Sequence, residues 1–264
     1  MSDTGSVPYD FSRQTAFAPL GPAGQRRLEA ARVLLVGAGG LGSWMAELLA
    51  RSGIGFLRLV DDDCVSDTNL HRQTLYTPGD AGNSTLKVHA AARALGQIAP
   101  HTRVEARPVR LTAQNAPVLA DGVDVLLDGT DNFLTRFILN DLAVRSGRAW
   151  VFAGAAGAAG QVMAIRPGRT ACLRCLYESP PPPEMELNAQ SVGIIAPIVS
   201  AIAAIAVGKV IRLLAKEEAD GAGSDGGLIQ LELWKGLAKR SPFGRREDCP
   251  CCGERRFEFL EVVP

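Results

Sequence analysis

The chain of 264 residues carries 28 basic and 28 acidic side chains, so no net field draws it toward nucleic acid or an anionic membrane. Its length suits one large domain with a self-sufficient core, or a domain with an appendage. The polar start (MSDTGSVPYD) does not read as a secretory signal, and six cysteines, all but Cys64 in short-spaced groups, fit a reduced, cytoplasmic, metal-holding protein better than a disulfide framework.

In chain order, residues 1–10 are expected to lack order, and one or two short helices follow around 11–14 and 24–31. Val33–Val36 reads as a buried strand. Gly37, Gly39 and Gly42 follow it at G-x-G-x-x-G spacing, and residues 41–51 have helical periodicity. Strand, glycine turn and helix N-terminus together make a seat for phosphate, with Gly39 and Gly40 kept bare for close approach. A second strand, 55–60, ends in Asp61, Asp62 and Asp63. Asp61 lies 19 residues past Gly42, where such folds place the acid that holds a ribose. Three carboxylates at a strand end also suggest a nearby divalent cation.

Asn69, His71, Arg72 and Gln73 fall in an irregular stretch. The guanidinium and its amide neighbours suit phosphate oxygens, whereas His71 is expected to face solvent. Lys87 lies in the first turn of a helix expected over 84–98, where a cation opposes the dipole unless an anion is close. A strand at 103–109, a short helix near 115–120 and a strand at 123–127 lead to Asp128, Asp131 and Asn132. These again lie at a carboxyl edge, and Asp131 or Asn132 can cap the helix 133–146. After a strand at 149–153, the glycine- and alanine-rich turn 154–160 leads to a strand at 161–166 that begins an antiparallel segment.

Cys172 and Cys175, with Cys249 and Cys252, form two C-x-x-C pairs. Together they close a four-cysteine shell around a structural Zn²⁺ that ties the tail to the loop after Arg166; Cys251 is an alternative member of the second pair. Cys64 is unpaired and expected to pack. Residues 176–190 are proline-rich and form a loop able to cross the nucleotide site. The apolar run 192–214 contains Pro197 in its first turn and is interrupted by Lys209 and Arg212, so it reads as a core helix rather than a membrane span. Residues 217–227 form an acidic, glycine-rich loop, followed by strands at 228–233 and 257–260. The fold expected is α/β: a Rossmann-like, doubly wound, mainly parallel sheet extended by antiparallel strands. The single domain 1–264 then divides into a helical arm (1–30), a nucleotide-binding half (31–155) and the strands, crossover loop, long helix and zinc clasp (156–264).

The ordered set Gly37-x-Gly39-Gly40-Leu41-Gly42, Asp61-x-Asp63, Asn69-x-x-Arg72-Gln73, Lys87, Asp128-x-x-Asp131-Asn132, Gly160-Gln161 and the paired C-x-x-C motifs closely resembles the MoeB/ThiF/HesA family. These are bacterial relatives of ubiquitin-activating enzymes, and the resemblance spans roughly 9–253. It implies an ATP-dependent adenylyltransferase acting on the C-terminal glycine carboxylate of a small ubiquitin-like sulfur-carrier protein ending in Gly-Gly. By the same resemblance Gly39 and Gly40 cover the phosphates, Asp61 holds the ribose, and Asn69, Arg72 and Lys87 contact phosphates. Asp131 binds Mg²⁺. Arg13, read from spacing alone as a solvated charge, matches an arginine that reaches the neighbouring subunit's triphosphate, which implies a homodimer. Departures are Ala189, where some relatives carry cysteine, a stretch from Gly82 to Lys87 two residues longer than usual, and no rhodanese-like extension, so that a separate sulfur donor is expected. The rival reading is an NAD(P)-dependent oxidoreductase, and within the family a peptide replaces the carrier as substrate.

Overall fold

The structure, a computed structural model, describes residues 9–182, 189–215 and 226–261. The elements run α1 (Ser12–Thr15), α2 (Gly21–Ala30), β1 (Arg32–Val36), α3 (Gly40–Arg51), β2 (Phe56–Val60), α4 (Pro78–Gly82), α5 (Lys87–Ile98), β3 (Arg103–Arg107), α6 (Ala116–Leu119) and β4 (Val125–Asp128). Then come α7 (Phe133–Ser146), β5 (Ala149–Ala156), β6 (Ala159–Ile165), α8 (Leu173–Leu176), α9 (Ala196–Ala215), β7 (Leu228–Glu232) and β8 (Leu237–Ser241).

One eight-stranded sheet runs β3-β2-β1-β4-β5-β6-β7-β8. Strands β1 to β5 pair in parallel and β5 to β8 antiparallel, as expected for a Rossmann-like sheet with an antiparallel extension. Apolar residues on both faces of β1 and β4 account for the near-continuous hydrophobic runs there, since helices cover each side. Helices α3, α5 and α9 pack on one face; α6, α7 and the cysteine-bearing segments pack on the other. The order reverses between β1 and β4, and their carboxyl ends open a crevice.

Helix α9 is the one described helix long and apolar enough to cross a membrane, yet it belongs to the core. Ile198, Val199, Ile202, Ala203, Ala206 and Val210 are buried. It approaches the β5–β6 hairpin closely: a Cβ on Gly160 would lie 2.8 Å from Ile202 Cδ1. The turn expected over 154–160 is therefore mostly strand, with Gly157 (φ +61°) at its tip.

Two expectations fail. Residues 257–260 form no strand but a turn, with the Leu260 N–H donating to the Phe257 carbonyl at 2.9 Å. They lie against α7, where Phe259 stacks on Phe137 at 4.8 Å and its N–H donates to Asp141 Oδ2, leaving no sheet edge to join. Strand β8, polar and exposed, lacks alternation and escapes a reading by hydrophobic pattern. Cys64 does not pack inside; it is exposed, in a β-bridge with Leu86. The expectations for 1–8, for 183–188 of the proline-rich loop and for 216–225 of the acidic loop lie outside the described residues.

Candidate nucleotide site and thiol clasp

Strand β1 delivers the chain into a turn whose shape only glycine permits at two points. Gly37 has φ +89°, and a Cβ there would lie 2.7 Å from the Gly129 carbonyl carbon; one on Gly42 would overlap the Gly37 carbonyl. Gly39 differs. Among the described residues only Gln73 Nε2, at 3.7 Å, comes near such a Cβ, so the space above this backbone opens into the cavity. The turn is held from both sides. The buried Tyr76 hydroxyl donates to the Ala38 carbonyl at 2.6 Å, and the Ala38 N–H donates to Asp61 Oδ2 at 2.7 Å. Burial lifts the Asp61 carboxyl above the ordinary carboxylate range, against the pull of Lys87 and of the Ala38 and Asp63 N–H groups.

A cavity of about 350 Å³ lies at the carboxyl ends of β1 and β4, over the N-terminus of α3. Gly39, Gly40, Asp61, Asp63, Asn69, Arg72, Gln73, Lys87, Asp131 and Asn132 all line it. Asn69 closes a capping box with Ser66 through Oδ1 at 3.1 Å, which leaves Nδ2 unbonded among the described residues. Arg72 is fixed by the Thr68 carbonyl (2.6 Å) and His71 (2.9 Å). Gln73 is buried, and its Oε1 meets no donor among the described residues.

Lys87 donates from Nζ to Asp63 Oδ2 at 2.7 Å, so Asp63 tethers the lysine at the cavity wall. The longer stretch from Gly82 to Lys87 follows α4, which Thr77 caps, and makes a turn through Ser84 (φ +47°). That shortens the expected helix to a start at Lys87 and leaves this side chain at the cavity. Arg110, after β3, also lines the cavity; sequence reasoning missed it because the strand was expected to run past Arg107 to Val109.

The paired aspartates of the Asp128–Asn132 loop separate by burial. Asp128 is fully buried, accepts from Thr130 and pairs with Arg136 Nε at 3.1 Å; burial still raises its carboxyl above the ordinary range. Asp131 is exposed at the cavity rim, and Asn132 caps α7 by accepting from the Thr135 N–H at 2.9 Å. Asp61, Asp62 and Asp63 can bring three carboxylate oxygens within 4.8 Å of one another, a set suited to a hard divalent cation. Asp131 belongs to no such group of three among the described residues.

Arg13 is not at this site. It is exposed on α1, which docks at the opposite end of α3 through Gln14 Nε2 and the Ser52 carbonyl (2.9 Å).

A second cavity of about 500 Å³ adjoins the first, sharing Asp131 and Ala155 in its wall. Its floor is made of small residues from β5 and β6, and its far wall comes from β7 and β8. Arg136 lines it, a residue that sequence reasoning passed over as one charge on a helix.

On the other sheet face, Cys172, Cys175, Cys249 and Cys252 bring their sulfurs within 4.8 Å of one another; the Cys172–Cys249 and Cys175–Cys252 sulfurs are 3.6 and 3.5 Å apart. A tetrahedral zinc with bonds of about 2.3 Å places its sulfurs about 3.8 Å apart, so the four thiols fit that ion. Cys251, the alternative ligand, lies outside this group of four, and Asn140 Nδ2 donates to its sulfur at 3.2 Å. Within the group, hydrogen bonds from Cys172 and Cys175 pull the Cys249 and Cys252 thiols down toward the thiolate, while hydrogen bonds from Cys175 and Cys249 push the Cys172 thiol up.

A family model described as the ThiF family matches residues 11–251. The chain belongs to the ThiF family. It is 36% identical over 252 residues to a sulfur carrier protein ThiS adenylyltransferase of Bacillus subtilis, covering 95% of this chain and 73% of that protein. To a sulfur carrier protein adenylyltransferase of Thermus thermophilus it is 34% identical, over 92% of this chain and 90% of that one. It is also 35% identical to the adenylyltransferase and sulfurtransferase UBA4 of Saccharomyces cerevisiae, spanning 92% of this chain but 55% of UBA4. Among solved structures, Escherichia coli MccB with MccA-N7isoASN superposes with a TM-score of 0.79 at 22% identity, over 95% of this chain and 76% of that one; at this identity the likeness speaks for the fold. Membership of the ThiF family removes the ground for the nicotinamide reading, which used only the glycines and Asp61.

Proposed function

We propose that this ThiF-family protein is an ATP-dependent adenylyltransferase that activates the C-terminal glycine carboxylate of a small ubiquitin-like sulfur-carrier protein. The single observation that carries the reading is the cavity over Gly39. It gathers Arg72, Lys87 and Asn69 Nδ2 around a helix N-terminus, an arrangement for a polyphosphate rather than a neutral ligand. Relatives at 34–36% identity bear the names of sulfur-carrier adenylyltransferases, and MccB, of like fold, has been solved with ATP.

The chemistry needs no protein nucleophile. A carboxylate oxygen of the carrier's last glycine attacks the α-phosphorus, the bond from that phosphorus to the bridging oxygen breaks, and pyrophosphate leaves. Two anions must approach one another, so the side chains act by charge. Arg72 and Lys87 would hold the triphosphate, and Asp61, Oδ1 and Oδ2 already fixed by backbone N–H groups, would accept from the ribose. Asn132 would keep the Asp131 loop in place. Asp131 would bind Mg²⁺, which when present neutralises phosphate charge. The second cavity, running from Asp131 along β5 to β8, would take the extended carrier tail.

Arg13, at the far end of its own subunit, would serve a partner's site. The small residues Ala201, Ala204 and Gly208 on the less buried side of α9 offer a close-packing face for that homodimer. The free cysteines and clasp fit a reducing cytoplasm, where Zn²⁺ is structural.

The deciding measurement is exchange of labelled pyrophosphate into ATP with purified carriers ending in Gly-Gly. Exchange that requires such a carrier supports the reading. Exchange with none of them, or a melting temperature raised by NADH and not by Mg-ATP, overturns it.

A further inference from the structure

Helix α7 carries a buried arginine whose bonds are more than its ion pair requires. Arg136 is 6% exposed. Its Nε pairs with Asp128, while Nη2 donates to the carbonyls of Thr130 (2.7 Å) and Ala153 (3.3 Å). Phe133 and Phe152 flank the guanidinium, with ring centroids 5.0 and 5.3 Å from Cζ. These contacts fix the plane of the group and use three of its five N–H bonds. The remaining two are on Nη1, which bonds no atom of the described residues. Nη1 is not among the sealed, unpartnered atoms of the core, and Arg136 lines the second cavity.

The surroundings narrow what Nη1 can meet. The neighbouring wall is Gly154, Ala155, Ala156 and Gly160, whose small side chains let a peptide backbone approach closely. A Cβ on Gly154 would come within 3.4 Å of Arg136 Nη2, so glycine there leaves the guanidinium uncovered. Among the described residues, the other cation in this wall is Lys239, on the edge strand β8. A pre-oriented donor pair beside a floor of glycine and alanine, in a cavity that shares Asp131 with the first, suits a planar anion carried by a residue without a side chain.

Resting on the adenylyltransferase reading, we propose that Arg136 binds the terminal carboxylate of the carrier's last glycine through Nη1, and so selects a free carboxylate before ATP chemistry begins. A neutral C-terminal amide offers no charge and can present an N–H where Nη1 needs an acceptor. Arg136 is therefore a substrate-binding residue as well as the partner of Asp128.

The test is made without ATP, so it reads recognition apart from adenylyl transfer, which pyrophosphate exchange reports separately. A fluorescently labelled ThiS-type carrier is prepared in two forms, ending in Gly-Gly carboxylate or Gly-Gly amide, and each is titrated with the wild-type protein. The expected result is at least tenfold weaker binding of the amide form. In Arg136→Lys, which keeps a cation for Asp128 but loses the fork, the difference falls below threefold, whereas Lys239→Ala retains it. Equal binding of the two forms by wild type, no binding of the carboxylate form, or an undiminished difference in Arg136→Lys each overturns the proposal. Where Arg136→Lys fails to fold, the wild-type difference decides, together with its survival or loss in Lys239→Ala.

Discussion

The two halves of this molecule treat their polar groups in opposite ways. Around the glycine turn, valences are left over: Asn69 Nδ2 and Arg136 Nη1 have no partner among the described residues and belong to side chains that line a cavity. Around the thiol clasp, the groups turn on one another. Asn140 is fully buried, accepts from the Leu173 N–H at 2.8 Å and donates to Cys251, so one side chain ties both cysteine segments to α7. The first region is arranged to be completed by a ligand and the second to be closed by an ion. Helix α7 serves both, since its first turns hold Asp128 and its middle holds the clasp.

This contrast breaks most visibly on removing metal. Structural zinc binds with an apparent free energy on the order of 10 kcal/mol in small domains. Here the sheet keeps its own core, so chelation, or Cys172→Ser, is expected to lower the melting temperature by on the order of 10 °C and to expose the tail to protease. Mg-ATP binding to the remaining fold should weaken far less. Calorimetry with and without chelator reads both, and an unchanged melting temperature would show that the clasp holds no ion.

Arg72→Ala should do the reverse. The side chain lines the cavity and, among the described residues, only Thr68 and His71 hold it, so the fold loses little. Carrier-dependent exchange should drop by about 10²–10³-fold, or roughly 3–4 kcal/mol, while the melting temperature stays within about 2 °C. Loss of stability matching the loss of rate would move Arg72 into the structural half.

How much of this was legible in the sequence follows the same division. Motif residues such as Gly37, Gly42, Asp61 and Arg72 declare themselves because ligand or backbone geometry demands one residue type at fixed spacing. The four clasp cysteines are equally plain, but only the fold shows that Cys252, and not Cys251, joins the group of four sulfurs. Arg136, Tyr76 and Asn140 were silent. Each works through partners distant in sequence (Ala153, Ala38 and Leu173), and helical or loop periodicity carries no trace of such bonds. Strand β8 was silent for another reason: pairing with β7, not apolar alternation, makes it a strand.

Asn140→Ala sharpens the comparison at smaller amplitude. It leaves the Leu173 N–H buried and unpaired, which costs about 1–3 kcal/mol, or about 2–4 °C of melting temperature for each kcal/mol in a chain of this size. Asn140 bonds Leu173 and Cys251, the chain neighbours of Cys172 and Cys252, and no sulfur of the group of four, so competition with a zinc chelator should show a loss at or below the low end of the about 10–100-fold that direct partners of metal ligands give. Zinc affinity equal to wild type would mean that the four thiols alone organise the clasp.

The finest probe is Tyr76→Phe, because it removes one oxygen at the join between packing and ligand space. The hydroxyl is buried, and its bond goes to the Ala38 carbonyl, in the turn that Asp61 grips from the other side. The ring remains to fill the core, so the expected loss is that of a single hydrogen bond, about 1 kcal/mol. If the turn is held in shape for phosphate, this loss appears as a KM for ATP raised roughly fivefold with kcat kept. If the bond serves packing alone, the melting temperature falls and KM does not move. Measured together, the two quantities say whether the glycine turn is shaped in advance by its neighbours or takes its shape from the nucleotide.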